Sequence, residues 1–153
     1  MMNRVSRLSA IGLFALPALG ACDGPSMAPE EELRAWVTAG VDAAESKERQ
    51  TLVDMMSSAY TDARGNERDD IENLLRLYFL RQNNIKLLPS IENITVFDET
   101  AANIELAVAM AGTNDGVFGF SADAYRFALE LEKDRGEWRL IAARWGELGE
   151  ELR

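Results

Sequence analysis

In three stretches of the chain, apolar residues recur at the three-to-four-residue spacing of an amphipathic helix. The pattern predicts helices at residues 30–46, 50–60 and 69–82. Glu30, Glu31 and Glu32 open the first stretch, where negative charge interacts favourably with the helix dipole. Each predicted helix has one apolar side, so another part of the fold has to cover it.

The spacing changes to two in the second half of the chain, which is the period of a half-buried strand. Four strands are predicted at residues 86–97, 102–111, 125–132 and 138–145. Pro89 favours an edge position or a bulge for the first of them, because proline has no backbone N–H to donate. Helices followed by consecutive strands are typical of an α+β domain, here three helices packed on a curved antiparallel sheet of about four strands.

The start of the chain has the pattern of an export signal. Arg4 and Arg7 precede an apolar stretch at residues 8–19, which is shorter than the roughly 20 residues of a membrane-spanning helix. Residues 19–22, Leu-Gly-Ala-Cys, resemble the bacterial lipoprotein signal, in which a diacylglycerol is added to the cysteine thiol and the chain is cut just before it. A plain signal peptide and a short membrane anchor are the alternatives.

Lipidation of Cys22 implies attachment to a lipid bilayer, because several acyl chains on one residue hold a protein stably on a membrane. The chain then divides into a signal peptide at residues 1–21, the lipidated cysteine with a flexible tether at residues 22–29, and one domain at residues 30–153. The expected location is the periplasmic side of the bacterial cell envelope. Asp23 favours the inner membrane where enteric-type sorting applies.

The amino-acid composition excludes several classes of binding partner, catalytic site and metal site. The 153 residues carry a net charge of −10, which disfavours contact with nucleic-acid phosphates. The absence of histidine excludes Ser-His-Asp and Cys-His hydrolases and zinc sites built on imidazole, and the single cysteine excludes an internal disulfide. The acidic clusters lack the alternating oxygen ligands of a calcium-binding loop. We therefore expect no metal, no cofactor and no nucleic-acid partner.

Two phrases carry a resemblance to a known fold. Residues 58–62 are Ser-Ala-Tyr-Thr-Asp, and residues 136–145 are Gly-Glu-Trp-Arg-Leu-Ile-Ala-Ala-Arg-Trp. Together with the order of helices and strands, they resemble the nuclear transport factor 2-like (SnoaL-like) superfamily over residues 30–147, and within it the small bacterial lipoproteins that carry this domain. The resemblance implies a cone-shaped α+β fold with a cavity between helices and sheet.

Eight residues are candidates for lining that cavity: Trp36, Tyr60, Tyr78, Phe97, Met110, Tyr125, Phe127 and Trp145. Aromatic residues at helical and strand spacing also form ordinary hydrophobic cores. The pattern therefore leaves an open ligand pocket and a filled interior as alternatives.

Enzymes of this superfamily, such as ketosteroid isomerase and scytalone dehydratase, use a buried carboxylate with tyrosine or histidine partners. By that resemblance, Tyr60 or Tyr125 could donate a hydrogen bond and Asp62 or Asp98 could act as the base. Both aspartates, however, are expected beside turns that water reaches. Asp123 has two alternatives, a place at the mouth of the pocket and a turn role, and its position just before a strand favours the turn.

The glutamates of the predicted strands, Glu105, Glu130 and Glu132, alternate with the apolar residues and should face outward. No carboxylate is then expected on the inward side of a strand. The sequence thus predicts that the domain has no catalytic residues and is not an enzyme. The predicted function is binding of a small apolar ligand or of an envelope protein. An isomerase- or dehydratase-like enzyme and a purely structural dimer are the alternatives.

The outer face of the sheet is a candidate contact surface. Two apolar strips are expected there, one of Ala107, Ala109 and Ala111 and one of Ile141, Ala143 and Trp145. Exposed apolar patches mark contacts, and proteins of the resembling superfamily dimerise through this face. The sequence therefore predicts a homodimer through the outer sheet face, unless the C-terminal residues 146–153 cover it.

Overall fold

The protein is described by a computed structural model that covers residues 27–113 and 120–153. Its helices are α1 (Pro29–Glu45), α2 (Arg49–Asp54) and α3 (Arg68–Arg81), and its strands are β1 (Met56–Asp62), β2 (Asn84–Phe97), β3 (Ala101–Thr113), β4 (Phe120–Asp134) and β5 (Glu137–Glu147). The strands form one sheet in the order β1-β5-β4-β3-β2, in which β2 to β5 are an antiparallel meander and β1 runs parallel to β5. The α+β prediction is confirmed, with five strands instead of about four.

The predicted signal peptide at residues 1–21, Cys22 and the tether up to residue 26 lie outside the described residues. Within the described ranges, no helix has both the length and the apolar content needed to cross a membrane.

The predicted helix at residues 50–60 is wrong in its second half. α2 ends at Asp54, and the chain then continues as β1. Pairing with β5 gives this segment its backbone partners, beginning with the Leu140 N–H, which donates to the Met55 carbonyl at 2.9 Å. Ser57 and Ser58 are weak helix formers, so the pairing outweighs the helical spacing of the apolar residues.

The alternation predicted for the central strands is confirmed. On β3, Ala102, Ile104, Leu106 and Val108 are buried, and they pack with Leu33 and Val37 of α1. Leu131 of β4 and Trp138 of β5 belong to the same core. A second cluster of Val53, Met56, Tyr60 and Ala143 joins α2, β1 and β5. The predicted edge position of Pro89 is also confirmed, because β2 is the last strand of the sheet.

The second apolar strip predicted on the outer sheet face is wrong. The pairing of β4 with β5 is irregular between Glu130 and Leu131, so that Ile141 is an extra residue on β5. This bulge changes the phase of the strand, and Ala143 and Trp145 turn toward the helices. Dimerisation through the remaining strip at residues 107–111 stays a prediction.

Polar contacts fix α1 to the sheet at both of its ends. Near its start, the Glu32 carboxylate accepts hydrogen bonds from the Trp138 indole at 2.9 Å and forms an ion pair with Lys133 at 2.7 Å. At its end, the Glu45 carboxylate accepts from the Leu87 N–H and the Lys86 ammonium, each at 2.8 Å. α3 has no buried residue, so it covers the sheet less tightly than α1 does.

Candidate functional site

A cavity of about 520 Å³ lies between the three helices and the inner face of the sheet. This volume falls within the range of small-molecule sites. Its walls are almost entirely apolar, and all five strands contribute residues to the sheet side. The helix side includes Gly40, Val41 and Ala44 of α1 and Ile71, Leu74, Leu75 and Phe79 of α3. Of the two alternatives for the interior, the structure therefore shows an open cavity and not a filled core.

Seven of the eight residues predicted to line a cavity are brought together around it: Trp36, Tyr60, Tyr78, Met110, Tyr125, Phe127 and Trp145. Whether they hold a ligand stays a prediction. Phe97 is a correction, because it ends β2, does not line the cavity and is 47% exposed. It precedes the β2–β3 turn, where the chain leaves the sheet.

Asp62 is not the wet residue that its place near a turn indicates, since only 5% of it is exposed. Its Oδ1 accepts the backbone N–H groups of Arg64 at 2.9 Å and Asn66 at 2.8 Å, and its Oδ2 accepts the Asn66 side-chain amide at 2.7 Å. Burial acts to raise the pKa of Asp62, but these hydrogen bonds outweigh it and the pKa is lowered. The carboxylate holds the turn together and does not line the cavity.

Asp98 lies where the sequence predicts it, in the turn between β2 and β3. It and Glu99 adopt positive φ values of 49° and 60°. The residue is exposed and lies at the opposite end of β3 from Met110, a cavity residue that pairs with β4, so it is not placed to act as a base in the cavity.

The expectation that no carboxylate faces inward on a strand is wrong. β4 begins at Phe120, so Asp123 lies within the strand and not in a turn before it. Strand alternation places Asp123 on the same side of β4 as Tyr125 and Phe127, which line the cavity. Asp123 is itself exposed and does not line the cavity, but it is paired with Met110, which does, and its charge acts on Tyr78 and Tyr125. Extending the observed alternation two residues back from Tyr125 could have found it.

A second carboxylate lies on the same rim. Glu147, near the end of β5, is paired with Tyr125. Tyr78 of α3 faces them from the helix side. We call Tyr78, Asp123, Tyr125 and Glu147 the polar rim of the cavity.

The three cavity tyrosines are held in the neutral, hydrogen-bond-donating form. Burial raises the pKa of Tyr60 to about 12, with a further contribution from the Asp62 charge. Burial also raises the pKa of Tyr78 and Tyr125, and the Asp123 charge adds to both shifts. Among the described residues, none of the three hydroxyl groups has a hydrogen-bond partner. Each hydroxyl group belongs to a residue of the cavity wall and can donate a hydrogen bond.

The positively charged side chain of Arg64 packs against Trp145, which lines the cavity. The Arg64 guanidinium lies over the Trp145 ring at 3.6 Å from its centroid and donates to the Trp145 carbonyl at 3.2 Å. Its charge acts to lower the pKa of Tyr125, against the larger effect of burial. Arg64 thus fixes the orientation of Trp145, which forms part of the cavity wall.

Within residues 27–113 and 120–153, no group of three or more acidic or cysteine side chains has the arrangement of a metal site.

Comparison with solved structures identifies the fold. A protein from Novosphingobium aromaticivorans, provisionally named as a scytalone dehydratase, superposes with a TM-score of 0.69 at 12% identity, over 80% of this chain and 89% of its own. A ketosteroid isomerase-like protein from Erwinia carotovora gives 0.64 at 12% identity, over 78% and 96%. A nuclear transport factor 2-like superfamily protein from Salmonella enterica gives 0.65 at 14% identity, over 80% and 96%.

The chain therefore has the nuclear transport factor 2-like cone fold that the sequence predicts. No family model and no curated protein matches it in sequence.

The prediction that the domain is not an enzyme is wrong, for two reasons. Proteins named for dehydratase and isomerase activities share this fold, although the identities of 12% show the fold alone. The prediction also depended on the absence of an inward-facing carboxylate, and Asp123 occupies such a position.

Proposed function

We propose that the domain is an enzyme that binds an apolar small molecule in the cavity and transfers a proton on it, as an isomerase or dehydratase does. The observation that carries this proposal is the combination of an apolar cavity of about 520 Å³ with Asp123 and two neutral tyrosines at its open end. The names of the structural neighbours support the same class of reaction.

The apolar walls bind and orient the substrate, because burial of apolar surface stabilises the complex by about 25 cal/mol per Å². A polar group of the substrate, such as a carbonyl or hydroxyl, then lies at the polar rim. Tyr125 and Tyr78 have raised pKa values, so they remain protonated and can donate to an oxygen on which negative charge develops.

Asp123 is the residue we assign as the base. It is an exposed carboxylate on the cavity side of β4, and we expect a bound apolar substrate to cover it and remove water from it. Desolvation of this kind strengthens a carboxylate as a base. Asp62 is a poorer candidate, because three hydrogen bonds already occupy its oxygens.

The test is hydrogen–deuterium exchange at the carbon next to the carbonyl in a panel of apolar cyclic ketones, followed by NMR in D₂O. Asp123→Asn should lower the exchange rate by about 100-fold or more, the range for removal of a general base, without loss of ketone binding. Glu130→Gln is the matched control, since Glu130 lies on the outer side of the same strand. Equal exchange rates in wild type and Asp123→Asn would refute the assignment.

We also propose that the domain is attached to the periplasmic side of a bacterial envelope membrane through acylated Cys22. The lipoprotein-like sequence at residues 19–22 supports this location. The test is metabolic labelling with a palmitate analogue in the native host, with Cys22→Ala as the comparison. Label that persists in Cys22→Ala would overturn the assignment.

A further inference from the structure

The charge of the chain is distributed unevenly. The protein contains 26 acidic residues, yet none lies between Asn73 and Ile91. The same stretch contains Arg76, Arg81 and Lys86. The C-terminal half of α3 is thus a local basic region on a protein whose net charge is −10.

This basic region also exposes large apolar side chains. Leu77 and Leu80 of α3 are both exposed, and Leu80 is 77% exposed. Their three-residue spacing places them on the same side of the helix. Arg76 and Arg81 are exposed as well, and neither has an ion-pair partner among the described residues. We call Arg76, Leu77, Leu80 and Arg81 the Leu–Arg surface.

Packing among residues 27–113 and 120–153 does not account for this surface. α3 turns Leu75, Tyr78 and Phe79 toward the cavity, which uses its other side. α3 is therefore apolar on two sides, whereas a helix at the surface of a soluble domain needs only one. The outward leucines require a partner outside the domain.

We propose that the Leu–Arg surface docks on a bilayer that contains anionic phospholipids. Leucine side chains enter the boundary between headgroups and acyl chains, and the arginines reach the lipid phosphates. A second copy fits less well, because symmetric pairing of two such surfaces brings the arginines of one copy against those of the other. The docking does not rest on the proposed proton transfer.

The surface is small, and each arginine near an anionic membrane strengthens binding by about fivefold. The expected tether makes a weak contact sufficient. From Cys22 to Pro29 the chain spans at most about 25 Å when fully extended, so a lipidated domain stays at the bilayer and the contact becomes intramolecular.

The experiment places an environment-sensitive fluorophore on single cysteines of the full chain, in which Cys22 is replaced by serine. Leu80→Cys carries the probe on the Leu–Arg surface. Leu148→Cys is the matched control, since Leu148 is 57% exposed but lies among Glu147, Glu150 and Glu151. Vesicles of phosphatidylcholine, with and without phosphatidylglycerol, are then added.

The proposal predicts a blue shift at position 80 with phosphatidylglycerol vesicles and none at position 148. Arg76→Gln together with Arg81→Gln should weaken the vesicle affinity measured at position 80 by about 25-fold, whereas Arg135→Gln, at the tip of the β4–β5 turn, should leave it unchanged. No shift at position 80, or an equal shift at both positions, overturns the proposal. A shift without vesicles that grows with protein concentration also overturns it and identifies a second copy as the occupant.

Discussion

Replacing Asp62 tests whether its carboxylate stabilises the β1–α3 turn instead of acting in catalysis. Asp62→Ala leaves the Arg64 and Asn66 N–H groups without their acceptor. A buried donor without a partner costs about 1–3 kcal/mol, and water reaches this turn in part, so we expect a loss of about 2–4 kcal/mol in the free energy of unfolding. Asp62→Asn keeps one acceptor oxygen and should lose about 1–2 kcal/mol.

The loss should depend on pH in a defined direction. The pKa of Asp62 is lowered in the folded protein, so the ionised carboxylate contributes its full stabilisation above the unfolded pKa of about 3.9. That contribution disappears as the pH falls through the lower folded pKa. The difference between wild type and Asp62→Asn should therefore be full at pH 7 and shrink below about pH 4.

The assay is urea unfolding followed by tryptophan fluorescence at several pH values. Asp42→Asn is the control, because Asp42 is an exposed carboxylate on α1 and its loss should change stability by less than about 0.5 kcal/mol. A loss under about 1 kcal/mol for Asp62→Ala, or a difference for Asp62→Asn that does not change with pH, would refute the reasoning.

Four further changes have defined outcomes. Leu33→Ala removes a fully buried side chain and should lower the free energy of unfolding by about 2–5 kcal/mol in the same urea assay. Gly136→Ala, at φ 86° in the β4–β5 turn, should cost about 1 kcal/mol by thermal unfolding, and no loss would contradict the turn geometry. Arg64→Ala should cost about 1 kcal/mol and shift the fluorescence of Trp145; an unchanged spectrum argues against the stacked pair. Cys22→Ala should move the protein from the membrane to the soluble periplasmic fraction of its host.

The sequence predicts the central strands well because one side of each faces the core. Ile104 and Leu106 alternate with polar or small residues, and burial of one side of the strand forces that period of two. The same logic finds most of the cavity wall, since a lining residue and a core residue have the same apolar pattern.

The sequence does not predict β1, because local spacing and long-range pairing conflict there. Met56 and Tyr60 are four residues apart, which is typical of a helix, yet the segment pairs with a strand more than 80 residues later. The bulge at Ile141 is hidden for a related reason. One extra residue reverses the phase of β5, and no local feature of the sequence marks it.

The polar rim is only partly predictable. Tyr125 is identified by alternation, but Asp123 looks like a turn residue until the true start of β4 is known. For Asp62, the sequence predicts the location but not the environment of the carboxylate. Its place near a turn is predicted, but the hydrogen bonds that bury and occupy it depend on the conformation of residues 64–66.

The central claim is that the apolar cavity is the binding site for a small molecule. Energy transfer from Trp36 and Trp145 to an apolar fluorophore measures this directly, because both residues line the cavity. Ala44→Phe fills the cavity from α1, and Ala39→Phe is the control on the exposed side of the same helix. The account predicts one bound fluorophore in wild type and Ala39→Phe, and none in Ala44→Phe at unchanged folding. Equal binding in all three proteins, or no binding to the wild type, would contradict it.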